Sequence, residues 1–268
     1  MDRVLITGCS SGIGRASAIE LTKRGFEVIA TARKPETLED LDVAEKLQLD
    51  VTDDDSIAKA QAAAGRVDVL INNAGFGVGG PIEKVPLDEV KRLYETNVFG
   101  CVRMIQAFVP QMRERGSGTV VNISSVAGRT SSPLGGYYSS SKFALEAISE
   151  ALHFEVRHFG IRVIVIEPGG FQSSIGEKSP DPYGIHEPPY DELAAIWESA
   201  QGKLRGADAG EAPGSDVAAQ LIAEAIESDD PKLRWPIGDD AKLVIDTRDS
   251  MSFEQFEATM RQVLQLDW

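Results

Sequence analysis

Residues 3–33 read RVLITGCSSGIGRASAIELTKRGFEVIATAR, and no other stretch restricts the fold as much. RVLITG and EVIATAR are short β-branched runs. Between them Ile13, Ala16, Ile19 and Leu21 recur near one helical face, with Gly25 set to end the helix. Strand, glycine-rich turn, helix and strand in immediate succession make a βαβ unit, whose two strands run parallel. The alternation continues: KLQLDV and VDVLINNAG read as strands, residues 88–114 as a helix, GTVVNISS as a strand, 138–158 as a helix and IRVIVIEPGG as a strand. Strands this apolar suit the middle of a parallel sheet covered on both faces. The expected architecture is α/β, a doubly wound parallel sheet with helices on both faces, in a single domain over residues 1–268.

The pattern lapses over about residues 171–214, which carry Pro180, Pro182, Pro188, Pro189 and Pro213. This excursion follows the C-terminal end of a strand, the edge at which such sheets bind ligands. A substrate loop or lid is expected there, with Phe171, Tyr183, Tyr190 and Trp197 forming either an apolar cover or its anchors to the body. DVAAQLIAEAIES and KLRWPIG then restore helix and strand, and a helical tail runs to Trp268.

A formal net charge of −15 repels phosphate backbones and anionic lipid surfaces, so neither nucleic acid nor membrane is an expected partner. An anionic ligand would have to be captured by local features. Cys9 and Cys101 form no CxxC pair, and the three histidines lack carboxylates at metal-ligand spacing, so neither a disulfide framework nor a metal site is expected. No apolar run approaches membrane-spanning length, and MDRVLITG leads straight into a strand; the cytoplasm is the expected compartment.

TGCSSGIG places Gly8, Ser10, Ser11, Gly12, Ile13 and Gly14 between the first strand and the first helix. Glycines there leave room for a pyrophosphate to approach the N–H groups and the positive end of the helix. No lysine follows the last glycine, so this is not a P-loop. At the end of the second strand an acid would bind the ribose 2′-hydroxyl of NAD and an arginine would accommodate the 2′-phosphate of NADP. The chain has Ala32 followed by Arg33 and Lys34, which favours NADP(H) over NAD(H).

Six short motifs, in order and at family-like spacing, resemble the short-chain dehydrogenase/reductase family with its Rossmann-type fold. They are Thr7, Gly8, Gly12 and Gly14 of TGxxxGxG; Asn72 to Gly75 as NNAG; Asn97 in ETNVFG; the serine of NISSVAG; Tyr138 and Lys142 of YxxxK; and Pro168–Gly169. The resemblance implies that Asp50 and Val51 lie beside an adenine, that Asn73, Ala74 and Gly75 support the middle of a dinucleotide, and that Pro168 and Gly169 border the nicotinamide. Where the family often carries a threonine after PG, this chain offers Ser173. The resemblance further implies that Lys142 binds the nicotinamide ribose and that Asn97 holds a water linking Lys142 to solvent. It also implies a homodimer or homotetramer built through the helices of Asn97 and Tyr138.

Hydride transfer to a carbonyl leaves an alkoxide, so such a site needs an acid at the carbonyl oxygen. A tyrosine brought about 3 units below its usual value of about 10 would require roughly 4 kcal/mol of phenolate stabilisation. A lysine about 5 Å away supplies roughly 3 kcal/mol at an effective dielectric near 20. Helical spacing selects between the adjacent tyrosines: Tyr138 shares a face with Lys142, whereas Tyr137 pairs with the uncharged Ser141. Of Ser124 and Ser125, family spacing favours Ser125, as a hydrogen-bond donor to the substrate oxygen. Ser139, Ser140 and Ser141 are expected to satisfy free N–H groups at the helix start.

These residues point to an NADP(H)-dependent oxidoreductase that interconverts an alcohol with a ketone or aldehyde, on a small molecule with an apolar body. The alternatives are an NAD-dependent alcohol dehydrogenase and a non-catalytic dinucleotide-binding protein.

Overall fold

The computed structural model describes residues 2–171, 182–204 and 212–264. Seven strands form one sheet: β1 (Arg3–Ile6), β2 (Glu27–Ala32), β3 (Glu45–Gln48), β4 (Val69–Asn72), β5 (Gly118–Ile123), β6 (Ile161–Pro168) and β7 (Arg234–Ile237). Their order is β3-β2-β1-β4-β5-β6-β7, and every adjacent pair is parallel. The chain winds outward from β1 to β3, then returns to the other side of β1 for β4. That reversal opens a crevice beyond the C-terminal ends of β1 and β4.

Strand side chains alternate between two cores. Val4, Ile6, Ile71, Val121 and Ile164 pack on one face, against Ala18 and Leu21 of α1 (Gly12–Lys23) and Ile222 of α7 (Ser215–Glu227). Leu5, Leu70, Val120 and Val163 pack on the other, against α2 (Asp54–Ala64), α4 (Cys101–Arg115) and α5 (Gly136–Val156), which bring Ile57, Phe108 and Leu145. Each fully buried Leu, Ile or Val is worth about 1.5–3 kcal/mol, so a sheet apolar on both sides requires both helical layers.

Two local expectations are corrected, and one helix is new. The buried face of α1 is Gly14, Ser17, Ala18 and Leu21, and Ile19 is exposed, because small residues let α1 lie close on α7 and the sheet. The single helix expected over 88–114 is α3 (Leu87–Tyr94) and α4 joined by a π-helical stretch, Glu95–Gly100. Helix α2 had no strong apolar period to announce it, with Ile57 its one large apolar residue, although Asp53 caps it by accepting from the Asp55 N–H at 3.0 Å.

The excursion contains regular structure, α6 (Asp191–Leu204). Tyr183 packs with Phe76, Val78 and Val85, its N–H bonded to the Gly79 carbonyl, and Tyr190 hydrogen-bonds Glu83. Both tyrosines therefore anchor the excursion to the loop before α3. Phe171 packs against the first core. After β7 the chain continues through α8 (Asp239–Asp249) and α9 (Phe253–Leu264). Among the described residues no helix is long and apolar enough to cross a membrane.

Candidate active site

A cleft of about 820 Å³ opens over the C-terminal ends of the strands, and it gathers most of the residues singled out in the sequence. Gly8, Ser10, Ser11, Gly12, Ile13 and Gly14 form one wall, and Arg33, Asp50 and Val51 lie towards one end. Asn73, Ala74 and Gly75 line the cleft, as do Ser125, Tyr138, Lys142, Pro168 and Gly169. Lys34 is exposed and does not line the cleft, whereas Arg92 and Phe171, which sequence reasoning did not assign to binding, do. Ser173 lies outside the described residues.

The glycine wall owes its shape as much to internal packing as to any ligand. A Cβ on Gly8, which has φ of +76°, would lie 2.9 Å from the Ala74 Cα; one on Gly14 would strike the Asn73 amide and lie 2.7 Å from the Gly8 carbonyl. The Asn73 amide donates to the Thr7 carbonyl at 2.8 Å, and the N–H groups of Asn73 and Ala74 both donate to the Thr7 hydroxyl at 2.9 Å. Thus the TG and NNAG motifs are two halves of one clasp between β1 and β4. Helix α1 begins over this clasp with no side-chain cap and no acid in its first turn, unlike α2 with Asp54 and Asp55 there. Its positive end faces the cleft without a competing carboxylate, which suits a bound phosphate. Among the described residues neither Arg33 nor Lys34 forms an ion pair, so both cations are free to meet an anion.

On the far side of the cleft α5 presents Tyr138 and Lys142 one turn apart. The Lys142 ammonium donates to the Ile123 carbonyl at 2.8 Å and lies 5.8 Å from the centre of the Tyr138 ring. The neighbouring serines face different ways. Ser125 reaches the Tyr138 phenol with a hydrogen bond and accepts from the Ala127 N–H, whereas the Ser124 hydroxyl is buried and would touch any Cβ on Gly128.

Asn97 stands behind the cleft, 2% exposed, on the π-helical stretch. Its amide closes a two-point hydrogen bond with the backbone of Phe76, at 3.1 and 2.9 Å, and also donates to the Ser141 hydroxyl. The side chain therefore braces the strand-to-helix connection after NNAG. A small pocket is lined by both Asn97 and Lys142, together with Thr7, Asn72 and Cys101.

Two expectations about α5 change. The serines after Tyr138 do not cap the helix start: Ser140 and Ser141 donate back to the carbonyls of Tyr137 and Tyr138, because the helix already begins at Gly136. The Tyr138 phenol is also not drawn towards neutrality. Burial pushes it up to about 12 against the opposing hydrogen bond from Ser125. The expected lysine effect is outweighed because the ammonium is directed at the Ile123 carbonyl and the phenolate would lose its hydration. Burial likewise brings Lys142 down to about 8, opposed by Cys101 and Glu146.

The comparisons with known proteins agree with this geometry. Residues 2–183 match the short chain dehydrogenase family model. An uncharacterized oxidoreductase of Bacillus subtilis is 34% identical over 280 residues, covering 97% of both chains. A 3-ketodihydrosphingosine reductase of Bacteroides thetaiotaomicron is 44% identical over 174 residues, covering 63% of this chain and 64% of its own. A solved short-chain dehydrogenase from Streptomyces avermitilis is 38% identical with a TM-score of 0.83, covering 100% of this chain and 98% of its own. More distant structures of the same fold hold NADP in one case and NADH in another. On the matched length, the identity and the shared fold, this chain belongs to the short-chain dehydrogenase family of oxidoreductases.

Proposed function

We propose that the protein is an NADP(H)-preferring oxidoreductase that interconverts a ketone or aldehyde and an alcohol, with Tyr138 as the acid and base. The observation that carries this reading is the Tyr138–Lys142 turn of α5, with its lysine buried and Ser125 beside the phenol, across one cleft from an uncapped helix over a glycine clasp. When bound, a nicotinamide dinucleotide supplies or accepts the hydride. The protein's own groups do the rest. The first turn of α1 receives the pyrophosphate, Arg33 and Lys34 receive the 2′-phosphate, and Asp50 and Val51 flank the adenine. Asn73, Ala74 and Gly75 support the middle of the dinucleotide, and Pro168 and Gly169 border its nicotinamide end. Ser125 orients the carbonyl oxygen, and Tyr138 hands it a proton as the alkoxide forms. Lys142 holds the ribose hydroxyls and, through a water placed beside Asn97, restores the proton from solvent.

A phenol held at about 12 stays protonated at neutral pH, so the ligand-free site is ready to reduce; oxidation first requires loss of that proton. The apolar Phe171 in the cleft, and the relative named for reducing 3-ketodihydrosphingosine, favour a carbonyl substrate with an apolar body. Exposed Phe99, Phe143 and Phe154, on the π-helical stretch and α5, support a homodimer or homotetramer; a cytoplasmic enzyme of one 1–268 domain with residues 171–214 as its substrate loop completes the proposal. The test is Tyr138→Phe assayed against a panel of carbonyl compounds. Turnover should be lost while NADPH binding, measured by fluorescence titration, persists; near-normal turnover would overturn the assignment.

A further inference from the structure

Helix α5 continues the Tyr138–Lys142 face with two acids, Glu146 and Glu150, each one turn further on. Glu150 is exposed, but Glu146 is 5% exposed, and nothing in the proposed reaction uses it. One of its carboxylate oxygens accepts from the Arg234 Nε at 3.0 Å, and the other, Oε1, is buried with no hydrogen-bond partner. Gly128, in the turn after Ser125, is its roof: a Cβ there would lie 3.0 Å from the Glu146 Cγ and 3.3 Å from the Lys142 backbone. Helical side chains lean towards the N-terminus, which brings the Glu146 carboxylate towards Lys142.

Lys142 meanwhile is 5% exposed, its ammonium bonded to the neutral Ile123 carbonyl, and among the described residues no carboxylate lies within ion-pair distance of it. We propose that Glu146 is a positioning residue for Lys142: its buried carboxylate, fixed by Arg234, is the negative charge that keeps the Lys142 ammonium protonated at neutral pH. Two groups oppose the effect of burial on Lys142, Cys101 and Glu146. The Cys101 thiol is itself pushed up to about 12 by burial and is neutral at working pH, which leaves Glu146.

Charged groups from several other elements surround that carboxylate. From β7 Arg234 contacts Glu146 and Glu150 and lies 3.8 Å from Glu167 on β6. From the turn after β5 Arg129 pairs with Glu167 and with Asp249 of α8. Burial and the neighbouring Glu146 push Glu167 up to about 7, opposed by Arg129 and Arg234. Lys142 and Glu150 are the charged neighbours on α5 itself.

The effect of Glu146 on the charge of Lys142 stands by itself; its consequence for turnover rests on the proposed reaction. The closing experiment therefore reads Lys142 directly, in protein carrying 13Cε-lysine, with its resonance assigned by its absence from Lys142→Arg. In wild type the Lys142 midpoint should lie above pH 7, and in Glu146→Gln it should fall by about one pH unit. Glu150→Gln, which also removes a partner of Arg234, should leave it in place, and Glu146→Asp should largely restore it. A wild-type Lys142 neutral at pH 7, a Glu146→Gln midpoint equal to wild type, or an equal fall in Glu150→Gln would each overturn the proposal. The wild-type reading applies even if Glu146→Gln does not fold, and none of these readings depends on finding a substrate.

Discussion

Replacing Lys142 with methionine should end turnover and yet make the ligand-free protein more stable. A lysine lowered to about 8 in the folded chain, against 10.5 for its ordinary value, carries a folding cost when charged. At 1.36 kcal/mol per unit, this difference corresponds to roughly 3 kcal/mol at pH 7. Methionine keeps the stem and removes the charge, at the loss of the hydrogen bond to the Ile123 carbonyl, about 1–2 kcal/mol. The net gain is about 1–2 kcal/mol, or a rise of roughly 2–8 °C in Tm for a domain of this size. The pH dependence is more diagnostic than the magnitude. Between about pH 8 and 10.5 the unfolded chain binds the proton that the folded chain has released, so this residue makes wild-type stability rise with pH across that window. The variant lacks that contribution, so its advantage is full below pH 8, is cancelled by the lost hydrogen bond at about pH 9–10, and is reversed above about 10.5. Urea unfolding of both proteins at pH 7, 8, 9 and 10 is the assay, followed by tryptophan fluorescence and circular dichroism. A variant less stable than wild type at pH 7, or an advantage that does not shrink with pH, would refute the reasoning.

Two further substitutions probe the cofactor wall. Gly14→Ala gains about 1 kcal/mol of helix propensity but drives a methyl into the Asn73 amide and the Gly8 carbonyl, so a net loss of about 1–3 kcal/mol is expected; an unchanged or higher urea midpoint would contradict the clasp. Arg33→Asp should invert the ratio of kcat/KM for NADPH over NADH, since it exchanges a free cation for an acid that repels a 2′-phosphate and accepts from a 2′-hydroxyl. Parallel kinetics with the two cofactors decide it, and an unchanged ratio removes Arg33 from the site.

Much of this molecule is legible locally. The parallel sheet with helices on both faces follows from apolar strands separated by helices, although its strand order does not, and the pairing of Tyr138 with Lys142 follows from a spacing of one helical turn. Asp53 marks the start of α2 where periodicity is silent, because an N-cap is also a local signal. The π-helical stretch carried no such signal: it accommodates Gly100 against Val51, a residue half the sheet away in sequence, where a Cβ would lie 2.7 Å from a methyl carbon.

What the chain determines by itself is therefore whatever depends on period and spacing: strand, helix, the glycine turn, and which tyrosine has a lysine one turn away. Only the tertiary structure decided that Gly14 is a packing glycine, that the Ser124 hydroxyl is buried beside Gly128, and that burial raises the Tyr138 phenol. It also brought Glu146, Glu167, Arg129 and Arg234 together behind the lysine from four separate elements. The reason is that ionisation and steric room depend on burial and on charges within several ångströms, and those neighbours come from strands and helices far apart in the sequence.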